Sequence, residues 1–194
     1  MISCNVKGVR LSFDFTFFGA LALFLALDKS GLGVFCLLAC LCHESAHLLV
    51  LAAEKNPPEE IIFSGGGICI RQRKEPSSLA LWAGCAVNLL LFAAFFLSAQ
   101  RESIYPLIFG GANLCVGIIN LLPIGELDGK KLLSRLLHRL FLPDTAEKTE
   151  AAAEILFTAA AVAAIIVMIA KSFNLTAVLI LLYIFLVDFL QKKG

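Results

Sequence analysis

The sequence predicts an all-α polytopic membrane protein with about six transmembrane helices. Of its 194 residues, 59% are hydrophobic and only 16% are charged, a balance typical of a chain embedded in lipid. Apolar segments recur at roughly 15–27, 31–53, 78–99, 104–122, 152–170 and 175–190. The second, third and fourth are long enough to cross a bilayer at about 1.5 Å of helix per residue. We expect one membrane-embedded domain over 1–194, with a core at about 8–140 and two additional C-terminal spans over 152–190.

The first apolar segment follows a stretch, from Val9 to Phe15, in which apolar and polar side chains alternate. Alternation is the periodicity of a strand, so we predict a strand near 8–14 that turns into the first helix. The alternative is a helix that begins near Leu11 and buries Asp14 at the membrane interface.

The loop 54–77 predicts two more strands, near 60–64 and 67–73. They flank the three glycines Gly65 to Gly67, which permit a tight turn. These strands, with the strand near 8–14, make a small β element beside the predicted helices.

The segment near 127–141 predicts an amphipathic helix that lies at the membrane interface. Its apolar residues are Leu127, Leu132, Leu133, Leu136, Leu137 and Leu140, and its cations are Lys130, Lys131, Arg135 and Arg139.

Loop charge predicts the orientation. Six spans put both termini and the loops 54–77 and 123–151 on one side, which carries thirteen of the sixteen lysines and arginines. Because cytoplasmic loops are enriched in these cations, both termini, the β element and the amphipathic helix are expected on the cytoplasmic side of a multi-pass protein. A five-span arrangement would put the termini on opposite sides and weaken the bias. The formal net charge is only +1, so nothing indicates a nucleic-acid partner.

Residues 43–47 read His-Glu-Ser-Ala-His inside the second apolar segment. Ionisable side chains are costly in a membrane and are read as functional by default. His43 and His47 are four residues apart, so they share one helical face and can hold one metal ion. Glu44 is placed to act as general base toward a water molecule held by that metal.

A catalytic zinc site usually needs a third protein ligand. The best candidate is Asp128, which follows the fourth span on the cytoplasmic side, where the second span also ends. Pro123 and Gly125 would let the chain turn back toward the histidines. Glu126 is a weaker rival.

Three motifs together resemble the site-2 protease family of intramembrane zinc metalloproteases. The His-Glu-Ser-Ala-His motif is followed by Asn-x-x-Pro-x-x-x-Leu-Asp-Gly, from Asn120 to Gly129, and the stretch Ala83–Asn88 is similar to the family's Gly-Pro-x-x-Asn. The strand lead-in at 8–13 also fits, so the resemblance covers most of residues 8–140. With no inserted PDZ domain and no CBS domain expected, it is closest to the branch typified by stage IV sporulation protein FB. Cys85 and Lys130 depart from the family pattern, which often has proline and glycine there.

The resemblance implies a Zn²⁺-dependent protease of a bacterial inner membrane that cleaves the transmembrane or membrane-associated segment of a protein substrate. It implies zinc ligands at His43, His47 and Asp128 and a general base at Glu44. We expect Asn120 to stabilise the oxyanion or orient the substrate, and Asn88 to bind substrate. The substrate-binding candidates on an edge strand are Gly66, Ile68 and Ile70. The implied partners are the lipid bilayer, the substrate and a regulatory membrane protein.

Other interpretations remain open at this point. A membrane metal transporter or sensor could use the same ligands without hydrolysis, and a degenerate homologue could bind substrates without cutting. A different membrane zinc protease would have glutamate as its third ligand. Asn88 and Asn120 could simply form hydrogen bonds between helices. Cys36 and Cys40 lie on the same helical face as the histidines. They are either small residues that allow helix packing or additional ligands for a soft metal ion.

Overall fold

The computed structural model describes residues 1–6, 8–28, 31–65, 67–98 and 103–170. The chain divides into two compact units, one from Met1 to Asn120 and one that begins at Leu121. The first contains the strands β1 Ile2–Val6, β2 Val9–Phe13, β3 Glu60–Ser64 and β4 Gly67–Arg71, and the helices α1 Phe15–Leu27, α2 Leu32–Ala53, α3 Ser78–Leu97 and α4 Tyr105–Asn120. The second contains the helices α5 Asp128–Leu140 and α6 Pro143–Ala170.

The helices confirm the predicted apolar segments in part. Among the described residues, α2 and α3 are long and apolar enough to cross a membrane, with 22 and 20 residues. The helices α1 and α4 are apolar but shorter. The predicted fifth span lies within α6, and the sixth, at 175–190, lies outside the described residues. The structure is therefore mostly helical, and six spans stay a prediction.

The four strands form one mixed sheet in the order β1-β2-β3-β4. The pair β2–β3 is parallel, and the other two pairs are antiparallel. All three predicted strands are present, although β4 ends at Arg71 rather than near residue 73. Strand β1 is an addition to them, and all five of its residues are exposed.

The alternative helix starting near Leu11 does not form, because Asp14 follows strand β2 directly and caps α1. The Asp14 side chain accepts a hydrogen bond from the Thr16 backbone N–H at 3.1 Å, and its own N–H donates to the Phe63 carbonyl at 2.8 Å. Satisfying a free N–H of the first turn is what an aspartate N-cap does. Asp14 thus fixes the junction between the sheet and α1.

The helices α2, α3 and α4 pack against one another through small residues. The buried small positions are Ala39, Ala46, Ala80, Ala83, Gly84, Cys85, Gly110, Ala112 and Gly117. At Gly117, an added Cβ would lie 3.2 Å from the Asn88 Cβ, so α3 and α4 could not approach as closely with a larger residue. Close approach of helix backbones through small residues is typical of membrane bundles.

In the second unit a tight loop leads into the amphipathic helix. The Ile124 N–H bonds to the Leu122 carbonyl at 2.9 Å, and Gly125 has a positive φ of 54°. Helix α5 then begins at Asp128, in agreement with the helix predicted near 127–141.

Helix α6 starts earlier than the predicted fifth span, at Pro143 instead of residue 152. Residues 143–151 form helix rather than loop because proline suits the first turn, where its missing N–H costs nothing. Asp144 adds a favourable negative charge at the same helix end.

Candidate metal centre

The centre begins with two histidines on one face of α2. His43 and His47 are one turn apart, and their residues are only 3% and 8% exposed. Their Nε2 atoms lie 3.1 Å apart, with the rings edge to face. The predicted pairing of these two imidazoles on one helical face is what the structure shows.

The other ring nitrogen of His47 points to the start of α3. Its Nδ1 lies 2.6 Å from the Ala80 carbonyl oxygen. A carbonyl oxygen can only accept, so the proton of neutral His47 is on Nδ1. Nε2 of neutral His47 therefore carries no hydrogen and can act as a metal ligand.

His43 is held in the same way by a side chain rather than by backbone. Its Nδ1 lies 3.1 Å from Asn88 Oδ1. Asn88 Nδ2 in turn donates to the Ala39 carbonyl at 3.3 Å and to Asn113 Oδ1 at 3.2 Å. Since both amide hydrogens of Asn88 are used, its oxygen must face His43, and His43 Nδ1 must carry the proton.

The Nε2 atoms of the two neutral rings, neither of which carries a hydrogen, thus lie 3.1 Å apart in a buried site. Two electron-rich nitrogens at this separation can bind one cation together. Two Zn–N bonds of about 2.0–2.1 Å at a tetrahedral angle place the nitrogens about 3.3 Å apart. Metal-binding histidines also donate their second ring N–H to a carbonyl or a similar acceptor, as both do here. The histidine pair therefore fits a zinc ion.

Gly84 of α3 makes room for the two rings. A Cβ built at this position would lie 2.6 Å from His43 Cε1 and 2.7 Å from His43 Nε2, and it would also overlap His47 Nε2. Contacts this short do not occur, so any side chain here would displace the imidazoles. The sequence signal is a glycine inside an apolar helix, which often marks a close approach.

The remaining predicted site residues lie on several elements. Glu44 follows His43 on α2 and is partly exposed. Asn120 is the last residue of α4, and its Nδ2 donates to the Val116 carbonyl of the same helix at 3.0 Å. Ile68 and Ile70 lie on β4, opposite Phe63 and Ile61 of β3. Gly66 lies outside the described residues.

Asp128 is the first residue of α5, in the second unit. The Gly129 that follows it cannot be replaced without strain, because a Cβ there would lie 2.8 Å from the Leu122 carbonyl oxygen and closer still to that of Leu121. The loop carbonyls and the start of α5 are therefore tightly packed, which fixes the backbone that carries Asp128.

Among the described residues of α2, α3 and α4, the polar side chains that are completely buried are Asn88 and Asn113, each 0% exposed. Asn88 does form hydrogen bonds between helices, but one of them goes to a proposed ligand. Asn113 was not among the predicted site residues. Its one signal is a polar side chain in an apolar segment, and only the packing of α3 on α4 shows its partner.

No protein-family model and no curated protein matches this sequence. Its fold is similar to the solved structure of the Site-2 Protease from Methanocaldococcus jannaschii, with a TM-score of 0.66. The similarity covers 96% of this chain and 93% of that one at 19% sequence identity. Identity this low shows the fold alone, and on that basis the chain has the fold of a site-2 protease.

Proposed function

We propose that this protein is an intramembrane zinc metalloprotease of the site-2 type. The observation that carries the proposal is the pair of buried imidazoles whose Nε2 atoms lie 3.1 Å apart on an apolar helix long enough to span a bilayer. The fold similarity to a site-2 protease supports the same function. A polar pair of this kind has little structural use in an apolar helix.

We propose His43, His47 and Asp128 as the residues that would hold Zn²⁺. Two imidazoles and one carboxylate are a common catalytic zinc set that leaves a position open. Asp128 begins a helix whose first turn is fixed by the close packing of Gly129 on the preceding loop. Zinc bound there supplies a Lewis acid that polarises the scissile carbonyl and lowers the pKa of water.

In this mechanism Glu44 accepts the proton of the attacking water and delivers it to the leaving amine. Asn120 stabilises the developing oxyanion or orients the substrate backbone. Its Nδ2 has a second hydrogen besides the one used by Val116, so a donor is available for that task.

The proposed substrate is an unwound segment of a membrane protein or membrane-associated peptide. Strand β4 is an edge of the sheet, and an edge strand offers backbone groups to an added strand. Ile68 and Ile70 would contribute from β4, and Gly66 from the turn that precedes it. Asn88 remains a predicted substrate residue from sequence, although its described hydrogen bonds suit another task.

We further propose a multi-pass protein of a bacterial inner membrane, with six spans and both termini in the cytoplasm. The distribution of lysine and arginine supports this orientation. The motif resemblance supports the sporulation branch and a regulatory membrane protein as partner.

The deciding experiment compares membrane-protein fragments in the native host that expresses either wild type or Glu44→Gln. We expect at least one fragment to depend on Glu44, while zinc content stays unchanged. Glu54→Gln is the matched control, because it is the same substitution at the end of the same helix. If no fragment depends on Glu44, the protease assignment fails. Metal transport that survives Glu44→Gln would favour the transporter interpretation.

A further inference from the structure

We infer that Asn113 is a positioning residue of the proposed metal centre, which acts through Asn88 to keep the proton of His43 on Nδ1, so that Nε2 can bind the metal. The inference rests on the proposed function, since it concerns the residue that prepares one of the proposed ligands. Asn113 lies on α4 and is 0% exposed, and its side chain is hydrogen-bonded to Asn88 and Phe109.

One hydrogen bond of Asn113 has a direction that cannot be reversed. Asn113 Nδ2 lies 2.9 Å from the Phe109 carbonyl of its own helix, which can only accept. The Asn113 amide nitrogen therefore faces Phe109, and its oxygen faces α3. That oxygen accepts from Asn88 Nδ2 at 3.2 Å.

The orientation of the Asn88 amide in turn determines which nitrogen of His43 carries the proton. Because Asn88 turns its amide nitrogen toward Asn113 and the Ala39 carbonyl, it turns its oxygen toward His43 Nδ1 at 3.1 Å. His43 must then carry its proton on Nδ1, although a neutral histidine in water favours Nε2. A fixed backbone carbonyl on α4 thus selects the tautomer of a ligand on α2 through two asparagines.

Loss of the Asn113 oxygen would weaken this selection. One amide hydrogen of Asn88 would lose its partner in a buried, apolar site, and only the Ala39 carbonyl would still oppose reversal of the amide. A reversed Asn88 would present N–H groups to His43 and favour the tautomer that cannot bind metal through Nε2. Outer hydrogen bonds of this kind typically contribute about 10–100-fold to metal affinity.

The first test observes the tautomers in full-length, metal-free protein with ¹⁵N-labelled histidine. The chain has three histidines. We expect the proton on Nδ1 at His43 and His47, with the exposed His138 as the solution reference. In Asn113→Leu the His43 signal should move toward the Nε2–H form. His47 should not move, because a backbone carbonyl holds it. A wild-type His43 protonated on Nε2, or an unchanged His43 in Asn113→Leu, would overturn the inference.

The second test titrates Co²⁺ into the same proteins and follows its absorption spectrum. Asn113→Leu should bind about tenfold more weakly. Asn113→Asp, which when neutral can accept from Asn88 and donate to Phe109, should stay close to wild type. Gly110→Ala is the packing control, because it lies one turn before Asn113, crowds the Phe95 side chain and has no polar side chain among its nearest contacts. If Gly110→Ala weakens binding as much as Asn113→Leu, the effect is general packing and the inference is wrong.

These outcomes distinguish a failure of the inference from a failure of the proposed function. If wild type binds no Co²⁺, the proposed function fails, while the tautomers of the metal-free protein still decide the role of Asn113. If wild type binds metal and cleaves substrate but Asn113→Leu behaves like it, only the inference fails. Should Asn113→Leu not fold, Asn113→Ala takes its place in both measurements.

Discussion

The Nε2 atoms of His43 and His47 lie 3.1 Å apart, although neither carries a hydrogen with which to bond the other. Each ring has already committed its proton on Nδ1, one to the Ala80 carbonyl and one to Asn88. The hydrogen bonds at Nδ1 thus hold both Nε2 atoms in a geometry that suits a shared cation. Folding therefore already positions the two proposed histidine ligands, which is the meaning of preorganisation at a metal site.

A metal ion should therefore stabilise the folded protein measurably. With free Zn²⁺ at a hundred times its Kd, we expect about 2.7 kcal/mol of added stability, seen as a higher Tm. Treatment with a chelator should remove this gain, and His43→Ala should abolish the response to metal. His138→Ala is the matched control, because His138 is exposed on α5. A Tm that zinc and chelator leave unchanged in wild type would contradict the metal centre.

Replacing Gly84 should disable the centre without removing any ligand. In Gly84→Ala the added Cβ would overlap both imidazoles, so α2 and α3 must separate or the rings must rotate. Overpacking of this kind costs about 1–3 kcal/mol of folding free energy. We expect Co²⁺ affinity to fall by at least about tenfold. Gly111→Ala is the control, because a Cβ there meets nothing within 4 Å. Equal affinities in the two variants would show that the rings do not depend on this gap.

The parts of the site that could be predicted from sequence are those that depend on the spacing of residues close together in the chain. His43 and His47 are four residues apart, so any helix brings them together. The amphipathic helix α5 was predictable for the same reason, since its leucines and cations separate at helical spacing. Local motifs carry no information about how α2, α3 and α4 pack. The similarity of the whole fold therefore could not be predicted from them.

The long-range contacts could not be predicted. His43 and Asn88 are separated by 45 residues, and Asn88 and Asn113 by 25. Nothing local distinguishes Asn113 from an asparagine that merely joins two helices. Strand β1 was missed for a different reason, because all of its residues are exposed and no burial pattern marks its register.

Metal binding should depend on Gly129 as well as on the carboxylate of Asp128 that precedes it. In Gly129→Ala the new Cβ would press on the backbone carbonyls of Leu121 and Leu122, which cannot rotate away. The start of α5 must then shift, and it would carry the proposed ligand Asp128 with it. We expect weaker Co²⁺ binding than in wild type, with the histidine tautomers unchanged. Ser134→Ala, further along α5, should bind as wild type does. Unchanged affinity in Gly129→Ala would argue against Asp128 as a ligand held by this loop.

The β4 edge should matter for cleavage but not for metal. Proline removes a backbone donor and disrupts strand addition, so Ile68→Pro or Ile70→Pro should slow the Glu44-dependent fragmentation several-fold. Zinc content should stay at the wild-type level. The matched control is Ile2→Pro, at the start of the opposite edge strand. Wild-type rates in both β4 variants would rule out the edge as the substrate strand.

The ion pair between Lys130 and Glu154 should stabilise the packing of α5 on α6. Their side chains meet at 3.0 Å and are only 24% and 19% exposed, so the pair is shielded from water more than a surface pair is. We expect Lys130→Met to lower the free energy of unfolding by about 1 kcal/mol. The comparison is Lys131→Met, because Lys131 and Glu126 are 4.0 Å apart and 47% and 73% exposed. That variant should change stability by roughly zero.

A double-mutant cycle with Glu154→Met isolates the energy of this pair in denaturant unfolding. If the pair stabilises the helix contact, the double variant loses less than the sum of the two single losses. Simple additivity would mean that Lys130 and Glu154 act independently and that the 3.0 Å contact contributes nothing. Lys130 stands where the motif pattern that the sequence resembles often has glycine, so a positive coupling would also explain how this chain tolerates a long cation so close to Asp128 in sequence. Lys130, the residue that departs from the pattern, would then supply the positive charge that stabilises the packing of α5 on α6.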